Sequence, residues 1–243
     1  MSVPVLHSHI AGRWFGHTPA QTLRSAVNGA PVAATHAEAV DFAEAVDYAR
    51  CAVPALQRLD FQQRAARLKA LAKFLSERKE QLYAWSAPTG ATRTDSWIDI
   101  DGGIATLFAY ASLGSNELPS GNLWHEGPVV PLGKQGHFAD THILVPRGGV
   151  AVHINAFPFH FPVWGLLEKF APAFQAGMPS IGKPATATSY LTEALVRLIA
   201  DSGLLPEGSC RVPDDCIDPK RRALFVSRAV MRGLIEQLWS EAT

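Results

Sequence analysis

Lys183 follows the short extended piece Ser180-Ile181-Gly182 and precedes Pro184, which bars it from helical geometry. Its ammonium is therefore expected to project from a strand end, beside the helical pattern that starts a few residues later. Both features favour an anionic or hydroxylated ligand. Upstream, the apolar run Gly149-Val150-Ala151-Val152-His153-Ile154-Asn155 reads as a strand. The turn Ala156-Phe157-Pro158-Phe159-His160-Phe161-Pro162 follows it, then a helical pattern ending at Ala176-Gly177. The stretch from Gly148 to Gly208 is thus strand, turn, helix, strand, lysine, helix. In open α/β sheets ligands bind outside the carboxyl ends of the strands, where a lysine reaches a hydroxyl or phosphate of a nucleotide. Position alone fits a solvated surface lysine equally well.

The unit resembles the aldehyde dehydrogenase superfamily around its Pro-Trp-Asn-Phe-Pro and Lys-Pro-Ser-Glu motifs. It is most similar to the subgroup formed by the dehydrogenase half of bifunctional phenylacetate-degradation proteins. Besides Gly148–Gly208, the runs Gln62-Gln63-Arg64-Ala65-Ala66, Thr89-Gly90-Ala91-Thr92-Arg93-Thr94-Asp95-Ser96-Trp97-Ile98-Asp99-Ile100-Asp101-Gly102-Gly103-Ile104 and Lys183-Pro184-Ala185-Thr186-Ala187-Thr188 carry the resemblance. It covers residues 1 to about 209 and implies the N-terminal portion of that fold: an α/β protein of helices plus an incomplete Rossmann-like parallel sheet.

The resemblance also implies roles. Lys183 would contact the adenosine ribose of NAD(P), with Ala185, Thr186 and Phe159 as further cofactor-binding residues. Members preferring NAD usually carry a glutamate where this chain has Thr186. A carboxylate accepts from both ribose hydroxyls and repels a 2′-phosphate; Thr186 removes that repulsion, which points to NADP rather than NAD. Thr186 also reads as the N-cap of the helix holding Leu191, Leu195 and Leu198. His160 stands at the family's oxyanion-hole asparagine. An imidazole N–H donates to a developing oxyanion, though with a different reach from an amide; the other reading is a histidine in an aromatic turn with no catalytic duty.

The family's mechanism needs a nucleophilic cysteine and a glutamate base, which the resemblance places beyond Gly208. Cys51, Cys210 and Cys216 lack the family's Gly-Gln-x-Cys context and are read as non-catalytic. The nine histidines include no H-E-x-x-H spacing, so no metal is expected. The expected substrate is a small aldehyde, free or CoA-linked. The alternative is a non-catalytic fragment that binds nucleotide or a partner. Full-length members are expected to be homo-oligomers, a state left open for this chain.

The elements that position these residues read as follows. His7 to Phe15 alternates weakly around Ala11-Gly12, a short hairpin or edge strand with Trp14 as apolar anchor. The alanine-rich stretch Thr35–Val53 is expected to be a helix, with Pro54 ending it or setting off a new turn. Asp60 caps a long scaffold helix to Trp85, with Leu68, Leu71, Leu75 and Leu82 on one face and Arg64, Lys69, Lys73 and Arg78 on others. A further helix covers Asp95–Leu113. Its Gly102-Gly103 pair costs about 1 kcal/mol per residue relative to alanine, and close backbone packing is the expected reason. Gly114–Gly136 reads as loop and Phe138–Val145 as strand.

Residues 1–147 are thus assigned to hairpin, helices and strand, 148–209 to a βαβα part of the cofactor unit, and 210–243 to an out-of-family helical tail. In that tail Asp218-Pro219 would start a helix with Leu224, Met231, Leu234, Ile235 and Leu238 on one face. The tail reads either as a partner-binding or membrane-surface helix or as the product of a reading-frame change after Ser209. A sheet cut after two strands is expected to leave apolar faces and an edge uncovered.

Composition bounds these readings. Hydrophobic content is 47%, charged content 18% and formal net charge zero. This argues for a globular chain and against nucleic acid or an anionic membrane as partner. No window reaches the roughly 18 apolar residues of a membrane span. Three cysteines suit reduced thiols, and a cytoplasmic location is expected.

Overall fold

The computed structural model describes residues 3–39, 41–134, 137–154, 160–205 and 224–225. Its first element is the expected hairpin: β1 (Ser8–Ile10) pairs antiparallel with β2 (Arg13–Phe15). The two-residue turn has φ 47° at Ala11 and 71° at Gly12, the left-handed pair that matches strand twist in tight hairpins. Trp14 is the anchor, its ring tilted against His9 at 4.5 Å and covered by the Arg197 guanidinium at 4.0 Å.

β3 (Pro19–Arg24) and β4 (Pro31–His36) form a second antiparallel pair that the composition hid behind alanines. The helix expected from Thr35 therefore starts later, as α1 (Phe42–Arg58), where the Asp41 side chain accepts from the Glu44 N–H. Pro54 lies inside α1 instead of ending it. A proline removes one helical hydrogen bond, but Ala45, Val46, Ala49, Val53 and Leu56 stay buried in phase across it, and that packing offsets the loss.

α2 (Phe61–Ser86) opens with a full capping box: Gln63 N–H donates to Asp60 and the Asp60 N–H donates to the Gln63 side chain. Leu68, Leu71, Leu75 and Leu82 are all fully buried, as their spacing requires. Arg64 departs from the reading of an outward charged face: it is 0% exposed. α3 (Arg93–Asn116) starts two residues earlier and ends three later than expected, capped by Thr92 and Asp95.

The stretch read as loop holds β5 (Trp124–Leu132), which pairs antiparallel with β6 (Phe138–Leu144). Gly127, at φ 82°, lies in the register shift between Glu126 and Val130. The glycine and proline that suggested loop thus belong to an irregularity in a ribbon. Val129, Val130, Leu132, Phe138 and Leu144 on it are exposed.

The chain then enters the parallel unit: β7 (Ala151–Ile154), α4 (Pro162–Gln175), β8 (Ser180–Lys183) and α5 (Ser189–Ser202), ending at Gly203 with φ 65°. β7 and β8 pair in parallel, Ile154 opposite Lys183. A third parallel strand, β9 (Leu224–Phe225), pairs with β8. This corrects the helical reading of the tail at Leu224, whose apolar spacing suits a strand edge as well as a helix face; Asp218-Pro219 and the remaining tail lie outside the described residues.

Ile181 packs in one cluster with Ile10, Ala11, Ala45, Val46 and Ala49 from the hairpin and α1. A Cβ on its neighbour Gly182 would sit 2.9 Å from Leu166 of α4. Successive residues of β8 thus face opposite layers, as the period of a strand dictates, and both are buried. The bare faces expected of a cut sheet are covered at β8. The larger core joins α2, α3, α4 and α5 through Leu71, Leu75, Leu107, Leu167, Leu191 and Leu195.

Gly102-Gly103 has the reason anticipated for it. A Cβ on Gly103 would lie 2.9 Å from the Trp164 Cα, and one on Gly102 would lie 3.0 Å from the Trp164 ring. The α3 backbone therefore rests on the start of α4. Gly103→Val is expected to destabilise by about 2–3 kcal/mol through overpacking, read as a lower urea midpoint. An unchanged midpoint would show that α4 yields freely.

Candidate functional site

Two strands deliver the site. The register sets Ile154 and Lys183 side by side at the carboxyl ends of β7 and β8. From the first end the chain runs through the turn toward His160; from the second it runs through Pro184 and Ala185 into a single 3-10 turn, Thr186–Thr188. Lys183 is 8% exposed and Pro184 is also buried. The lysine is thus set into the sheet edge rather than projecting freely as expected. Ala185 is extended, at φ −61° and ψ 131°, and both it and Thr186 are half-buried.

Thr186 does not take the N-cap of α5. Thr188 holds that position, without a side-chain cap bond. The Ser189 hydroxyl donates to the Thr186 carbonyl at 2.9 Å. The intervening 3-10 turn moves the helix start by two residues, which spacing alone did not reveal. α5 thus starts six residues after Lys183, with no acidic residue in its first turn.

His160 is exposed and meets the Phe161 ring edge-on at 4.8 Å. Phe161 occupies the N-cap of α4 and Pro162 its first turn. Phe159 and Asn155 lie outside the described residues. The structure therefore joins Lys183, Ala185 and Thr186 on one strand exit and places His160 beside Phe161 at the start of α4.

Sequence reasoning missed Asp99. On α3, 2% exposed, its carboxyl accepts the N–H of Val163 at 3.1 Å and of Trp164 at 2.7 Å. Burial pushes it up to about 7, against the opposing pull of those two N–H groups. One signal was available: an aromatic residue stands where helix starts prefer Ser, Thr, Asp or Asn, so the first turn of α4 needed an acceptor from elsewhere. The other end of α4 is held from α2. The Arg64 guanidinium donates to the Gln175 carbonyl at 2.8 Å, and the Gln175 amide donates to the Phe61 carbonyl at 2.8 Å.

Under β8, His153 Nε2 lies 3.1 Å from the Ser180 hydroxyl. Burial, then the Lys169 charge, hold this imidazole below its usual value. In the N-terminal sheets His36 is buried, with Nε2 2.7 Å from the Ser8 hydroxyl. Burial lowers it against the raising effect of Glu38. The two kinds of shift act on stability in opposite directions. His36 must take up a proton on acidification, so its contribution is present above its ordinary value of 6.5 and lost below it. Asp99 is raised, so its contribution is present below its ordinary value of 3.8 and lost as pH rises through about 7. Between 3.8 and about 7 the two therefore oppose each other, His36 adding stability as pH rises and Asp99 removing it. Denaturant midpoints of Asp99→Asn should rise more, or fall less, from about pH 4 to 7 than those of the wild type; the same pH dependence in both would contradict the assignment.

Residues 18–214, most of the chain, match the family model described as the aldehyde dehydrogenase family. The chain belongs to the aldehyde dehydrogenase family. It is 38% identical over 210 residues to a 3,4-dehydroadipyl-CoA semialdehyde dehydrogenase of Aromatoleum evansii, a match that covers 85% of this chain and 40% of the relative. It is 25% identical over 161 residues to the NADP(+) succinate-semialdehyde dehydrogenase GabD of Escherichia coli, covering 66% of this chain and 31% of that protein. The fold matches lactaldehyde dehydrogenase from Escherichia coli with a TM-score of 0.72 at 22% identity, over 96% of this chain and 45% of that one. The chain thus spans less than half the length of these aldehyde dehydrogenase relatives. Among the described residues no helix is long and apolar enough to cross a membrane, and no cluster of His, Cys, Asp and Glu could hold a metal ion.

Proposed function

We propose that this chain forms the NADP-binding side of the cofactor cleft of an aldehyde dehydrogenase acting on a CoA-linked semialdehyde in aromatic degradation. The observation that carries the reading is the placement of Lys183 beside Ile154, at the carboxyl edge of β7–β8 and next to the uncapped start of α5. Bound there, NADP would supply the hydride acceptor for oxidation of the aldehyde. The residues of this chain bind and orient it. Lys183 supplies a cation for the ribose end, and the α5 N–H groups add positive partial charge. Half-buried Thr186 contributes a hydroxyl without opposing a 2′-phosphate. His160, at the neighbouring exit, offers an N–H toward a developing oxyanion. The substrate class follows the relative from Aromatoleum evansii, and the NADP preference agrees with the name of the one from Escherichia coli.

A second reading has its own support. Cys51, the cysteine among the described residues, is half-buried in the middle of α1 and shares no element with the sheet edge. A chain that binds the dinucleotide without turning over an aldehyde fits this equally. The purified chain, given NADP and an acyl-CoA semialdehyde or a surrogate aldehyde, separates the two. Growth of absorbance at 340 nm (the reduced nicotinamide) supports the enzyme, whereas binding without reduction supports the nucleotide-binding fragment.

A further inference from the structure

α4 has an unusual start. Pro162 supplies no N–H, and Phe161 supplies no side-chain acceptor. The next two donors of the first turn, Val163 and Trp164, are left to a residue more than sixty positions away, Asp99. The Asp99 carboxyl is buried on α3, one turn before Gly102-Gly103, and those glycines let the Trp164 backbone and ring lie against α3. From Trp164 the contacts continue outward. Its ring meets Phe161 edge-on at 6.0 Å, and Phe161 meets His160 at 4.8 Å. A carboxyl, two amides and three rings thus form one path from the α3–α4 joint to the end of the turn.

We propose that Asp99 is a positioning residue: by gripping the Val163 and Trp164 N–H groups it sets the direction in which α4 presents Phe161 and His160 to the strand exit. This rests on the reading above, in which that exit faces substrate and cofactor. The joint explains three otherwise separate features: the glycine pair, the missing local cap and a carboxyl buried without a cation. The charged groups nearby on the packed elements are engaged elsewhere: Lys79 of α2 pairs with Asp101, Asp95 bonds Thr92, and Glu168 and Lys169 of α4 pair with each other. The environment of Asp99 is therefore set by burial and the two amides.

The test is an amide NMR titration of the full chain between pH 5 and 9, without nucleotide or aldehyde. In the wild type the amide signals of Phe161, Val163 and Trp164 should share one midpoint, near the value of about 7 to which burial drives Asp99. In Asp99→Asn, which keeps one acceptor oxygen, that shared step should vanish. The His160 ring signals at pH 9 should also be displaced there, while signals around the Ser8–His36 joint stay in place. Movement of Val163 and Trp164 without Phe161, or His160 signals unmoved in Asp99→Asn, would overturn the proposal and leave Asp99 a simple cap. The wild-type titration decides even if the variant folds poorly. Because no ligand is present, failure of the dinucleotide reading would not be mistaken for failure of this one.

Discussion

Arg64→Met should lower the stability of the chain by about 3–5 kcal/mol, the usual cost of removing one partner from a buried, hydrogen-bonded charge site. The guanidinium is fully buried and uses four of its N–H donors. One goes to the Gln175 carbonyl at the end of α4, and two go to the Leu56 and Leu59 carbonyls that close α1. The fourth reaches the Asn122 side chain at 2.9 Å, and Asn122 in turn donates to the Gln57 carbonyl at 2.8 Å. Methionine fills the volume of the stem, so the loss isolates the polar end. Three carbonyls and an amide oxygen then lie buried without donors, and each such group costs about 1–3 kcal/mol. Lysine cannot substitute, because one ammonium does not span acceptors on three elements. Urea unfolding followed by circular dichroism measures the change. Since a domain has only about 5–15 kcal/mol to lose, the variant should unfold at much lower denaturant. A shift below about 1 kcal/mol would show that water replaces the guanidinium.

Thr186→Glu should weaken NADP about a hundredfold while leaving NAD unchanged or tighter. Two unit charges about 4 Å apart interact by roughly 4 kcal/mol at an effective dielectric near 20. Partial exposure of this position reduces that to about 3 kcal/mol, or two decades in affinity. Thr186 lies in the 3-10 turn after Lys183 and is half-buried, so a glutamate reaches solvent without repacking. Calorimetric titration of both dinucleotides gives the ratio. Equal weakening of NAD and NADP would indicate a damaged turn, and no change in either would remove Thr186 from the site.

Much of the scaffold was legible because its signals are local. Asp60 with Gln63 and the buried leucine face of α2 follow from spacing. Gly177 and Gly203, with φ of 77° and 65°, stop α4 and α5 where the sequence places the stops. β3 and β4 were hidden because their alternation is carried by alanine and threonine, whose contrast is weak. β5 was hidden because a bulge took the glycine that reads as loop. At the site, Lys183 at a strand end was readable from Pro184 and the apolar run before it. Its burial was not, because the layers packed on β8 come from distant segments. Asp99 and Arg64 were missed for a similar reason: Asp99 holds N–H groups, and Arg64 a carbonyl at the end of α4, more than sixty residues away, with no periodicity to betray them.

In the proposed cleft the ammonium of Lys183 receives the phosphorylated ribose. The most direct measurement is the affinity of the full chain for NADP and for NAD at low salt, in the wild type and in Lys183→Met. NADP should bind at least about tenfold more tightly in the wild type, a difference of about 1.4 kcal/mol, and the two affinities should converge in Lys183→Met. Equal affinities in the wild type, or an NADP preference that survives the loss of Lys183, would contradict it.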